Sequence, residues 1–106
     1  VIAAGERWEC ADGPLRPCLE DLLGAGAVLS ALDPSAAVAA PQCSPEAAAA
    51  RAAFVDARPS LASRLSACPS GRELIARGWA DDVENCARLD VSNLAAQLVD
   101  AAFVAV

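Results

Sequence analysis

The chain has 106 residues, 56% of them hydrophobic by type, and a formal net charge of −6 in which every basic residue is arginine. This length fits one domain with a thin core. An acidic surface without a basic stripe excludes phosphate-backbone binding, and so nucleic acid as a partner. No apolar run reaches the ~18–20 residues that span a bilayer.

Residues 1–14, "VIAAGERWECADGP", lack a sustained period and carry Gly5, Gly13 and Pro14. They read as an irregular N-terminal arm, pairing in extended form at "VIAA" or lying along the helices with Trp8 as an interface anchor. Tryptophan is enriched at such anchors. Residues 15–106 read as a single helical domain. A first helix is expected from Pro17, where a missing N–H costs nothing, with Leu15, Cys18, Leu19, Leu22, Gly26 and Leu29 on one face. Glu20 and Asp21 read as complements to its dipole. Gly24 and Gly26 read as points of close helix approach.

"LDPSAA" breaks this helix, because Asp33 precedes a proline. After a short turn, "CSPEAAAARAAFVDA" carries a start signal: Ser44 as N-cap, Pro45 at the first helical position, Glu46 in the first turn. Pro59 ends that helix, and "SLASRLSAC" predicts another with Leu61, Leu65 and Cys68 inward. Ser70 and Glu73 have capping-box spacing. They open one long helix whose inner arc is Ile75, Trp79, Val83, Cys86 and Leu89. A final helix over "NLAAQLVDAAFVAV" has only Asn93, Gln97 and Asp100 as a polar stripe. Leu94, Leu98, Val99, Phe103 and Val106 point in most other directions, so this helix needs burial on several sides.

The expected fold is therefore all-α: about five short helices in a compact disulfide-linked bundle, with the irregular arm. Five cysteines, Cys10, Cys18, Cys43, Cys68 and Cys86, lack C-x-x-C spacing and have no histidine to complete a mixed metal site. In a short chain they read as a disulfide framework in an oxidising compartment, with one thiol left over. Cys68 and Cys86, at opposite ends of one helix, would stand roughly 25 Å apart at 1.5 Å rise, beyond disulfide reach. The start at Val1 fits removal of a targeting segment, and the expected location is secreted or lumenal.

Catalytic chemistry finds little support at this level. Without histidine or lysine, the usual bases for activating serine or cysteine are missing. Asp81 and Glu84 share a helix face at i, i+3, but acid–base work needs them buried, and an exposed face is expected. No calcium-loop pattern is present. No catalytic residue, metal or cofactor is therefore expected.

Cys18, Cys43 and Cys68 stand at equal separations and are followed by Cys86. With "VLSALDPSAAVAAPQCS", "ACPSGREL" and "NCARLDVSNLAAQLVDAAF", this ladder resembles the elicitin family, small secreted sterol-binding helical proteins. The resemblance implies a Cys18–Cys86 disulfide and a sterol pocket between helices. The expected function is a non-catalytic module that binds an apolar small molecule, a lipid or sterol, through Ile75, Trp79, Val83, Leu94, Leu98 and Phe103. The alternative is an accessory subunit buried against a protein partner in a larger assembly, for example a photosynthetic or respiratory complex.

Overall fold

Helix α1, Leu19–Leu32, packs against α2, Pro45–Ala57, and the sequence sets how closely. A Cβ on Gly26 would overlap the Ala50 carbonyl oxygen and lie 2.8 Å from Phe54 Cβ. Only glycine permits that approach, whereas Gly24 faces open space. The buried stripe of α1 runs through Leu23 and Gly26, while Leu22 is exposed. A computed structural model describes residues 1–8, 12–32 and 43–105 of the chain. The expected break at Asp33, the turn after it, Cys10 and Val106 lie outside the described residues.

Helix α2 starts as expected. Ser44 is its N-cap, its hydroxyl accepting from Ala47 N at 3.2 Å, with Pro45 at the head of the helix. A 3-10 turn, Arg58–Ser60, carries Pro59 and leads into α3, Leu61–Ala67. Leu61, Leu65 and Cys68 are buried, also as expected. With Leu23, Phe54, Ala57 and Val83, the two leucines form a small core.

The long helix expected after Ser70 is two helices, α4, Pro69–Ala76, and α5, Ala80–Cys86. Gly78, at φ 89°, adopts a backbone conformation open chiefly to glycine and folds the chain back. Gly78 N donates to Ile75 O and Trp79 N to Leu74 O, closing the turn. The cap of α4 also differs from the expected one: the Cys68 sulfur accepts from Gly71 N at 3.4 Å. Gly71 seats α4 on α3, since a Cβ there would overlap the Leu65 carbonyl oxygen.

The fold is not all-α. In the N-terminal arm, β1 (Glu6–Arg7) pairs antiparallel with β2 (Leu15–Arg16), aligning Glu6 with Arg16. "VIAA" is exposed and outside this pairing. The expected last helix is a hairpin of β3 (Ala96–Val99) and β4 (Ala102–Ala105), with Leu98 opposite Phe103. Asp100 and Ala101 both have positive φ (48° and 63°), as a primed two-residue hairpin turn requires. All eight strand residues are exposed. A nearly all-round apolar segment has no period that separates helix from strand, and here the turn decides.

No disulfide exists among the described residues: Cys18, Cys43, Cys68 and Cys86 are free thiols. The expected cross-linked framework and the Cys18–Cys86 bridge are thereby corrected. The expected separation of Cys68 from Cys86 fails as well, because the Gly78 turn brings both to the lining of one small cavity.

Candidate functional site

The site is built on Arg16, which the sequence reading passed over. Strand β2 places it opposite Glu6 in β1 and against α4, and its side chain is only 4% exposed. A guanidinium buried to this degree needs its donors satisfied. Arg16 Nε donates to Glu6 Oε2 at 2.7 Å, and Nη2 pairs with the same carboxylate. Nη2 also reaches Ser70 Oγ, and Nη1 reaches Glu73 Oε1, each at 3.1 Å. The Trp8 ring lies 5.2 Å from the guanidinium carbon, within cation–π range.

Ser70 and Glu73 are thus not a capping box. Both turn to Arg16 and fasten the β1–β2 hairpin to α4. The hydrogen bond from Arg16, more than its charge, holds the Glu73 carboxyl below its ordinary pKa. The two carboxylates in turn push the Arg16 pKa upward, with Glu73 the larger cause.

Beside this knot lies a cavity of about 320 Å³, within the size range of small-ligand sites. It is lined by Gly5, Glu6, Arg16, Glu20, Asp21, Ser70, Glu73 and Arg77, among others. Gly5 N donates to Asp21 Oδ2 at 2.6 Å, tying the arm to the first turn of α1. Glu20 and Asp21 therefore do more than complement a helix dipole, since they form one wall of the cavity.

Glu6, Cys18 and Glu20 hold their ligand atoms within 4.8 Å of one another. Two carboxylates suit a hard divalent cation such as Mg²⁺ or Mn²⁺, and the thiol would suit a softer one. Burial first, then the negative Glu20, Asp21 and Glu6, push the Cys18 pKa up. Cys18 is thereby kept as a thiol, the poorly nucleophilic form. Glu20 also borders two more apolar depressions, of about 90 and 240 Å³.

Of the residues expected to bind an apolar ligand, Leu98 and Phe103 are brought side by side across the β3–β4 hairpin, but the set does not line one cavity. Val83 is buried and borders the smaller depression. Ile75 and Trp79 are 40% and 51% exposed, while Leu94, Leu98 and Phe103 exceed 60%. These five line none of the three cavities. Asp81 and Glu84 lie exposed, as expected. Trp8, expected as an interface anchor, packs on Arg16 of its own chain.

A buried guanidinium, a second arginine and a wall of carboxylates around one small cavity define a site for charged, water-soluble chemistry. The family model described as 2-phosphosulpholactate phosphatase matches residues 8–101. The chain belongs to this family. No curated protein and no solved structure gives a significant match. The family match corrects the resemblance to elicitins, and with it the expectations of a non-catalytic lipid or sterol carrier and of an accessory subunit. It points to an enzyme.

Proposed function

We propose that the protein is a phosphatase that hydrolyses the phosphate monoester of a small, multiply anionic molecule of the 2-phosphosulpholactate type. The observation that carries this reading is the family match. It spans Arg16, Glu20, Asp21, Ser70, Glu73 and Arg77, all on the cavity described above.

The chemistry required is transfer of a phosphoryl group to water. Water oxygen bonds to phosphorus, the ester P–O bond breaks, and the alkoxide leaves with a proton. Four carboxylates, Glu6, Glu20, Asp21 and Glu73, line the cavity against two arginines. An anionic ester entering such a site needs further positive charge, and a divalent cation between Glu6 and Glu20 would supply it. A carboxylate at the same wall is suited to take the proton from the attacking water.

The test is release of inorganic phosphate from 2-phosphosulpholactate by the purified protein, with Mg²⁺ present. Turnover that falls at least a hundredfold in Glu20→Gln supports the reading. No release above the uncatalysed rate would sink it.

A further inference from the structure

The two arginines at the cavity are not equivalent. Arg16 commits four of its five N–H donors to Glu6, Ser70 and Glu73, and Trp8 lies over its guanidinium. Beyond its one remaining Nη1 hydrogen, it has nothing to offer a ligand without breaking the knot that holds β1–β2 to α4. Arg77 lines the same cavity with an exposed side chain; its charge acts on Glu73, one turn back, but no side-chain hydrogen bond or close ion pair commits its donors among the described residues. Its backbone is nonetheless fixed. Arg77 N donates to Glu73 O and Leu74 O at 3.1 Å, and the left-handed Gly78 follows. A guanidinium with uncommitted N–H donors, carried on a fixed backbone beside a cavity, is suited to receive an anion.

Its position at the C-terminal cap of α4 fixes which anion it receives. Ser70, at the other end of α4, lies 3.4 Å from Glu6 Oε2 and so marks the carboxylate end of the cavity, where Glu6 and Glu20 gather. Arg77 is seven positions further on, about 10 Å at 1.5 Å per residue. We infer that Arg77 is the specificity-determining residue of this site, pairing with a carboxylate or sulfonate that the substrate carries beside its phosphate ester. Arg16 is a positioning residue that never touches it. This inference rests on the phosphatase reading for its substrate class, but not for its readout.

The experiment compares wild type, Arg77→Gln, Arg77→Lys and the control Arg72→Gln, which removes the same charge from α4 away from the cavity. Binding of sulpholactate, which bears both acid groups and no phosphate, is followed by calorimetry. Hydrolysis of 2-phosphosulpholactate is compared with that of glycerol 2-phosphate, which lacks both acids. Arg77→Gln should weaken sulpholactate binding about tenfold or more, the scale of one charge-assisted pair. It should raise KM for 2-phosphosulpholactate more than it lowers kcat, and reduce the preference over glycerol 2-phosphate by a similar factor. Arg77→Lys should recover part of the loss, and Arg72→Gln should show none. If wild type binds sulpholactate through Arg77 but releases no phosphate, the phosphatase reading fails and the anion site stands. If wild type binds no sulpholactate, or Arg77→Gln binds it as tightly, the inference is overturned whatever the activity.

Discussion

Arg16 and Glu73, 57 positions apart in sequence, are joined by a 3.1 Å hydrogen bond that fastens the N-terminal hairpin to α4. The pH dependence of this joint has a definite sign. Hydrogen bonding from Arg16 lowers the Glu73 pKa from its ordinary 4.5, so the stabilisation is fully present above that value and is lost as pH falls through the depressed one. Thermal melts from pH 7 to pH 2.5 should show a loss on the acid limb that is smaller in Glu73→Gln. Parallel acid limbs in the two proteins would contradict the assignment.

Two glycines of α1 should respond oppositely to the same substitution. Gly26→Ala forces a methyl group into the Ala50 carbonyl and the Phe54 side chain, and overpacking of this kind costs about 1–3 kcal/mol. Gly24→Ala meets nothing within 4 Å and gains helix propensity, roughly 0.5–1 kcal/mol. Urea unfolding of both variants checks the pair, and equal effects would contradict the α1–α2 packing.

The hairpin should be energetically separate from the helical core. Phe103 is 76% exposed and Leu23 only 3%. Phe103→Ala should change the unfolding free energy of the helices by under about 0.5 kcal/mol, whereas Leu23→Ala should cost about 2–5 kcal/mol. Helical circular dichroism during denaturant titration reads both. A large loss from Phe103→Ala would contradict the exposed position of the hairpin.

Chelation tests the carboxylate wall. Removing divalent cations with EDTA should lower phosphate release at least tenfold, and Mg²⁺ or Mn²⁺ should restore it. In Glu20→Gln the restored rate should require a higher metal concentration than in wild type. Full activity in the presence of chelator would mean that Glu6 and Glu20 act without a metal.

Local signals in the sequence were sufficient for the start of α2 and for the buried face of α3. Ser44 followed by Pro45 marks a helix start through one hydroxyl and one fixed φ, and Leu61, Leu65 and Cys68 share a face by spacing alone. Gly26 announced a close approach, although not its partner. The hairpin was missed because Leu94, Leu98 and Phe103 satisfy helical and extended readings equally, and the deciding residues, Asp100 and Ala101, form no familiar Asn-Gly or Asp-Gly pair. The Gly78 break was missed because the apolar arc continues across it.

The site was illegible for a different reason. Arg16 meets partners 10, 54 and 57 positions away, and no periodicity encodes such distances. Ser70 and Glu73 carried a valid local explanation, the capping box, which concealed their long-range one. Glu20 and Asp21 were likewise explained too early by the helix dipole. Counting histidines and lysines excluded serine and cysteine chemistry, but left chemistry run by arginine and carboxylates open.

The Gly78 turn makes α4 a ruler. With Ser70 near its start and Arg77 just past its end, α4 fixes a span that any ligand touching both must match. One extra residue between them would swing the arginine by about 100° around the axis and off the cavity. One residue fewer would do the same in the other sense. The length of α4, two turns and no more, is therefore itself a selectivity element. A graft of this segment into another scaffold would transmit substrate size along with charge.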